Sequence, residues 1–120
     1  MHPYLAQPEL KAYCDLKRIL IQAYTPTGRA VVRSDPTIIS LADKYKVTPP
    51  QVILSWHVRR GVVAITKSTN KDHQKENLQL VDLSDADYEA INNLDKNERV
   101  LNKVNERGTV FGWTYEELGW

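Results

Sequence analysis

The chain has 120 residues, the size of one ordinary domain, and 42% of them are hydrophobic while 26% are charged. This composition excludes a disordered tail and a membrane-embedded protein. Sixteen basic residues against fifteen acidic ones leave a net charge of +1, which argues against a nucleic-acid binder or a polybasic membrane surface. The length excludes any architecture that needs about 250 residues in one chain.

The cysteine count and the first residues bear on location. The single cysteine, Cys14, excludes an intrachain disulfide, and its apolar-spaced segment predicts a small core residue. No signal-peptide pattern opens the sequence, and no apolar run approaches the ~18 residues of a membrane-spanning helix. We therefore expect a cytoplasmic protein.

The first half of the chain predicts a helix, a buried strand and two more helices. Proline at a first helical position and apolar residues at helical spacing indicate a helix over residues 8–17. The short apolar run 19–24 is typical of a strand buried on both faces, as in a parallel sheet. An Asp-Pro pair at 35–36 and a capping box at 48–51 each begin a helix, and Gly61 ends the second one.

The second half repeats the pattern. Residues 62–65 predict another buried strand, Asn70 caps a short helix through about Leu78, and Ser84 caps a further helix. From Asp95 onwards the chain is polar and ends in an aromatic tail, which we interpret as an extension of the same domain. Strands that alternate with helices indicate an α/β fold with a parallel sheet.

Two strands are few for so many helices. A two-stranded parallel sheet has two open edges, and strands apolar on both faces expect neighbours on both sides. The sequence therefore predicts a part of a larger α/β sheet, or a chain that finds those neighbours in a partner.

A first candidate loop follows the first strand and comprises Tyr24, Thr25, Pro26, Thr27 and Gly28. Ligands of parallel α/β folds bind at this end of the strands. A tyrosine offers a flat face to an aromatic ring, and the loop offers hydroxyl and N–H groups. The alternative is an ordinary strand-end aromatic that packs under a turn.

A second candidate loop follows the second strand and comprises Lys67, Ser68, Thr69 and Asn70, with a short helix behind it. Backbone N–H groups, hydroxyls and a lysine in this arrangement favour an anion such as phosphate. No Walker motif or G-x-G-x-x-G supports a P-loop or Rossmann assignment. The alternative is a capped helix with surface lysines.

The three histidines do not form a metal site, because none has another ligand at a suitable spacing. We expect His2 to be a loop histidine whose ring is satisfied by backbone, and His57 to be a packing or surface residue. The aromatic residues of the tail are either stacking groups or plugs at the rim of the core.

Several segments together resemble the C-terminal part of the aldo-keto reductases, and the closing residues 111–120 resemble fungal members. The matching segments are Met1–Leu5, Ile21–Gly28, Thr48–Trp56, Arg60–Ser68 and Glu76–Leu78. The resemblance implies the C-terminal portion of a (β/α)8 TIM barrel, with about strands seven and eight and their helices, incomplete as a single chain. Residues 95–120 would then be a C-terminal tail on the substrate side.

The resemblance also implies NADP(H) as cofactor and assigns roles to the two loops. Tyr24 matches the tyrosine that stacks on nicotinamide, and the rest of the first loop matches the pyrophosphate clamp. The second loop matches residues around the 2′-phosphate. The other matched cofactor residues are His73, at a 2′-phosphate position, and Glu76 and Asn77, at the adenine.

Two departures from the family pattern stand beside the second loop. Thr66 stands where proline is usual, which predicts a slightly looser loop. His73 stands where an arginine is usual, and a mostly neutral imidazole lacks the fork of donors that a guanidinium offers. The preference for NADP over NAD therefore stays open.

The family's catalytic Asp, Tyr, Lys and His come from its N-terminal half, and no residue here matches them. We therefore predict that this chain carries the cofactor-binding segments of a carbonyl reductase, has no catalytic residues of its own and is inactive alone. Carbonyl substrate would be bound only with the rest of the barrel. The alternatives are a non-catalytic nucleotide-binding module and a module that self-associates through its open strand edges.

Overall fold

A computed structural model describes all 120 residues and contains six helices and two short strands. In chain order they are α1 (Pro8–Leu16), β1 (Gln22–Ala23), α2 (Arg29–Arg33), α3 (Pro36–Tyr45), α4 (Pro49–Arg59), β2 (Val63–Ala64), α5 (Lys71–Glu76) and α6 (Asp85–Asn92). Every predicted element is present, so the predicted order is confirmed. The short helix α2 was not predicted.

The predicted starts of α3, α4 and α6 are confirmed, because each depends on residues close together in the chain. Asp35 accepts a hydrogen bond from the Thr37 amide at 2.8 Å, and Ser84 caps α6 through the Asp87 amide. At the start of α4, Gln51 Oε1 accepts from the Thr48 amide at 2.9 Å, which is one arm of the capping box.

The two strands pair in parallel, with Gln22 opposite Val63 and Ala23 opposite Ala64. The segment with α2, α3 and α4 connects them. The α/β class with a parallel sheet is therefore confirmed. Because the strands run the same way, the loops that leave both carboxyl ends lie at one edge of the sheet.

The main core lies between helices. Ile38 and Leu41 of α3, Val52 and Trp56 of α4 and Ile91 of α6 are buried in one cluster. The Trp56 indole N–H donates to the Asn92 side chain at 2.8 Å, so the buried indole keeps a polar partner. Cys14 is buried, as predicted.

The predicted burial of both strands is wrong for this structure. Leu20 is 74% exposed and Ile65 is 55% exposed, and Val63 is also exposed, whereas Ala23 and Val62 are buried. The helices cover only part of the two-stranded sheet, and no third strand lies at either edge. Apolar side chains that are suited to a buried sheet therefore face solvent.

The tail has no helix and one isolated bridge, between Val110 and Trp113. Its aromatic side chains do not fill the core, since Phe111 is 83% exposed and Trp113 is also exposed. The Arg99 guanidinium lies 4.3 Å from the Trp120 ring centroid, so the tail packs partly on itself. None of the six helices combines the length and apolar character that crossing a membrane requires.

Candidate functional site

The two candidate loops meet in one cleft at the carboxyl ends of β1 and β2. The cleft has a volume of about 680 Å³, which is in the range of small-molecule sites. Nine of the twelve predicted site residues line it: Tyr24, Thr25, Pro26, Thr27, Lys67, Ser68, His73, Glu76 and Asn77. The other three, Gly28, Thr69 and Asn70, belong to the same loops but do not line it. Their role toward a cofactor stays a prediction.

The first loop, residues 24–28, turns sharply as it leaves β1. Thr25 has φ +52°, which is unusual for a β-branched residue, and Gly28 has φ +63°. A Cβ atom at Gly28 would lie 2.2 Å from Cγ2 of the fully buried Val32, so only glycine fits this position. The Gly28 amide closes the turn by donating to the Thr25 carbonyl at 3.0 Å.

Tyr24 lies at the mouth of the cleft with 68% of its surface exposed. It does not pack under the turn, so that alternative is wrong. The side-chain hydroxyls of three residues make no hydrogen bond within the chain: Tyr24, Thr25 and Thr27. The first wall of the cleft thus offers an open aromatic ring and unpaired donors.

The second loop forms the opposite wall and is held by its own side chains. The Ser68 hydroxyl accepts from the Asn70 amide at 3.1 Å, and the Gln74 side chain donates to the Ser68 carbonyl at 2.7 Å. Asn70 Oδ1 accepts from the Asp72 amide at 2.8 Å and caps α5. The predicted cap at Asn70 is therefore confirmed.

Thr66 ties this loop to the end of α5, because its hydroxyl accepts from the Asn77 side chain at 3.2 Å. Proline could not make this hydrogen bond, and the looser loop expected from threonine in its place stays a prediction. The same contact engages only the amide nitrogen of Asn77, and Asn77 Oδ1 makes no hydrogen bond within the chain.

The charges at the cleft favour an anion. Lys67 and Arg33 line it, neither is in an ion pair, and Glu76 is the one carboxylate in its lining. The Arg33 Nε group donates to the Arg29 carbonyl at 3.0 Å, which leaves the terminal guanidinium nitrogens available. Unpaired cations and free hydroxyls suit a phosphate group.

Six residues of the lining are not among the predicted site residues: Ile65 and Thr66, which border the second loop, and Arg33, Thr48, Pro49 and Pro50. Arg33 lies on α2, whose five residues follow a glycine with positive φ and carry no N-cap side chain. The residue types at 29–33 are compatible with a helical turn, and the sequence offered no other indication of α2. Thr48, Pro49 and Pro50 lie at the start of α4; the sequence predicted this helix start but not its position beside the loops.

Two buried histidines lie behind the first loop. His57 is fully buried, and its Nε2 lies 3.0 Å from the Pro26 carbonyl oxygen. Burial lowers the pKa of His57 to about 4, against the smaller opposing effect of that hydrogen bond. His57 is thus a packing residue, as predicted.

His2 departs from its prediction. Its ring is buried, and Nδ1 has no hydrogen-bond partner, so the expectation of a ring satisfied by backbone is wrong. Only its backbone is paired, in a bridge with Leu5. Burial lowers the pKa of His2 to about 4. No three His, Cys, Asp or Glu side chains are arranged to hold a metal ion.

Comparison with known proteins assigns the family. The model of the aldo/keto reductase family matches residues 1–96. The chain is 44% identical over 98 residues to glycerol 2-dehydrogenase (NADP+) of Saccharomyces cerevisiae, a match that covers 80% of this chain and 31% of that protein. It is 34% identical to D-galacturonate reductase of Hypocrea jecorina, with 98% and 37% covered. This chain belongs to the aldo/keto reductase family.

Solved structures agree with this assignment. The structure of Gox0644 without ligand superimposes with a TM-score of 0.78 at 32% identity, and covers 82% of this chain and 37% of that one. A mutant of Gox0644 in complex with NADPH gives a TM-score of 0.75 at 33% identity. The chain spans about a third of the length of the relatives that it matches.

Proposed function

We propose that this chain forms the cofactor-binding part of an NADP(H)-dependent aldo-keto reductase, which reduces a carbonyl to an alcohol in the cytoplasm. In this proposal β1 and β2 are the seventh and eighth strands of a (β/α)8 barrel. The observation that carries the proposal is the meeting of the two loops in one cleft. The NADPH bound to the related Gox0644 mutant supports the choice of cofactor.

The groups at the cleft fit a phosphorylated dinucleotide. The first loop would hold the pyrophosphate through the hydroxyls of Thr25 and Thr27, which line the cleft and are unpaired within the chain. Lys67 and the second loop bind the 2′-phosphate, for which an unpaired ammonium group is suited.

The remaining groups hold the two rings of the cofactor. The open face of Tyr24 stacks on the nicotinamide. On α5, His73, Glu76 and Asn77 face the adenine and its ribose. NADPH supplies the hydride when bound, whereas these residues bind and orient it.

The proton for carbonyl reduction comes from outside this set. No residue at the cleft matches the family's catalytic Asp, Tyr, Lys and His, and in this proposal Tyr24 would stack on the nicotinamide. We therefore expect no reduction of aldehydes by the 120-residue chain alone. Oxidation of NADPH with an aldehyde panel, above a heat-denatured control, would contradict this part of the proposal.

A cofactor titration tests the proposal directly. Quenching of tryptophan fluorescence by NADPH and by NADH is measured for the wild-type chain, Lys67→Met and Lys75→Met. Lys75 lies on α5 but outside the cleft lining, so it is the matched control. We expect Lys67→Met to weaken NADPH binding by roughly tenfold to a hundredfold, with a smaller effect on NADH. Failure of the wild-type chain to bind NADPH up to millimolar concentration would refute the proposal.

A second candidate function is self-association through the open sheet. The apolar side chains of Ile19, Leu20 and Val63 are exposed beside the strands, and an unpaired parallel edge is a template for another strand. Sedimentation velocity tests this, with Leu20→Glu against Leu16→Glu, an exposed position at the end of α1. Self-association predicts that only Leu20→Glu shifts the chain to monomer.

A further inference from the structure

The first loop has few connections to the rest of the fold. Residues 24–28 make two hydrogen bonds, one of which is the internal turn between Gly28 and Thr25. The other joins the Pro26 carbonyl to His57, at 3.0 Å across 31 positions of sequence. The His57 ring is therefore the only hydrogen-bonded link from this loop to another element.

The backbone of this loop needs an external restraint. Thr25 and Arg29 both have positive φ, at +52° and +59°, on either side of Pro26 and Gly28. Such conformations cost free energy in residues with a Cβ atom, and they persist where surrounding structure holds them. Relaxation of Thr25 toward extended backbone would redirect the N–H groups that follow it.

His57 is suited to supply that restraint. It lies on α4, whose residues 51–57 are all buried, and its ring contacts Trp56 edge-on at 4.7 Å between centroids. A carbonyl oxygen only accepts, so His57 Nε2 carries the proton that it donates to Pro26. Nδ1 is buried without a partner, so the ring makes no competing hydrogen bond.

We infer that His57 is a positioning residue for the cofactor: from behind the cleft, it holds the Pro26 carbonyl and thereby fixes the first loop. His57 does not line the cleft, so it acts through the loop alone. The part of this inference that concerns the cofactor rests on the proposed function. The part that concerns the loop stands on the geometry of the chain itself.

The test compares three variants of the 120-residue chain. His57→Met removes the donor at similar size, whereas His57→Gln places an amide N–H near the position of Nε2. Ser55→Ala is the matched control on the same helix, because Ser55 is also buried but bonds to Val81 and Gln51 instead of the loop. The first readout is hydrogen exchange of the Gly28 amide without cofactor, and the second is the NADPH dissociation constant.

The three variants should differ in the exchange of the Gly28 amide. His57→Met should speed exchange of the Gly28 amide by roughly tenfold or more, beyond any change in global stability, and His57→Gln should restore most of the protection. Ser55→Ala should lower global stability without a selective effect on Gly28. The NADPH dissociation constant should follow the Gly28 amide across the variants.

The contrary results are distinct from failure of the proposed function. Unchanged Gly28 exchange in His57→Met, or no recovery in His57→Gln, overturns the inference. If His57→Met does not fold, the imidazole ¹⁵N shifts of the wild-type chain decide, because an Nδ1-protonated ring could not donate to Pro26. A wild-type chain that binds no NADPH refutes the proposed function, while Gly28 exchange still decides the positioning of the loop.

Discussion

Acidification from pH 7 to pH 4 should destabilise this chain through His57. Its ring is fully buried, and burial lowers its pKa to about 4 from the ordinary 6.5. The nearby positive charges of the Met1 amino group and Arg60 act in the same direction, whereas the hydrogen bond to Pro26 opposes it. The unfolded chain therefore binds the proton more readily than the folded chain. The free energy of unfolding decreases as the pH is lowered from 6.5 to 4.

The magnitude follows from proton linkage. With a pKa of 6.5 in the unfolded chain and about 4 in the folded one, His57 contributes a loss of about 2 kcal/mol from pH 7 to pH 5, which reaches about 3 kcal/mol at pH 4. Below pH 4 the loss levels off, because both states are then protonated. For a domain of this size, with a total stability of roughly 5–15 kcal/mol, that is a large share.

Urea unfolding measured at intervals between pH 7 and pH 4 checks this prediction. His2 titrates in the same window, since burial also lowers its pKa to about 4. His57→Gln is therefore the reference: it keeps a donor for Pro26 but does not titrate. We expect the wild-type chain to lose about 3 kcal/mol more than His57→Gln over this range. If the free energy of unfolding changes equally with pH in the two proteins, the folded chain does not bury His57 in its neutral form, and the prediction is refuted.

Two further predictions concern helix caps. Asp35→Ala removes the cap of α3, and it also leaves the Tyr4 hydroxyl without its partner, since that hydroxyl lies 2.6 Å from the Asp35 carboxylate. Urea unfolding should show that the free energy of unfolding falls by about 2–3 kcal/mol. Tyr4→Phe should lower it little further in the Asp35→Ala background. Full additivity of the two substitutions would contradict this coupling. Asn70→Ala removes the cap of α5 and should weaken NADPH binding several-fold at nearly unchanged global stability, whereas Asn70→Ser should retain affinity. Equal NADPH titrations for both variants would count against a role for α5 order in binding.

The elements that could be predicted are those specified by near neighbours in sequence. The caps at Asp35, Asn70 and Ser84 join a side chain to an amide two or three residues away, so residue type and spacing were sufficient. The parallel pairing of β1 and β2 followed from the alternation of strands and helices. That pairing places the loops that follow both strands at one edge of the sheet, where they share a cleft.

The features that could not be predicted depend on contacts between distant parts of the chain. The helix α2 begins after positive-φ residues with no capping side chain, so neither its existence nor the position of Arg33 had a clear local signal. The ring of His57 could have been a surface group, because helical spacing does not specify which loop packs against it. The family resemblance added the cofactor and the roles of the loops, and the family match confirmed the resemblance.

The sequence alone determined the capped helix starts at Asp35, Thr48, Asn70 and Ser84, because each is specified by residue types a few positions apart. The order of motifs along the chain indicated the family. The tertiary structure decided which apolar side chains are buried. Leu20 and Ile65 are residue types typical of buried strands, yet both are exposed. Burial requires a neighbouring element that covers the side chain, and not only a hydrophobic side chain. The tertiary structure also decided that a buried imidazole lies against the Pro26 carbonyl, since that contact exists only once α4 packs beside β2, the parallel partner of β1.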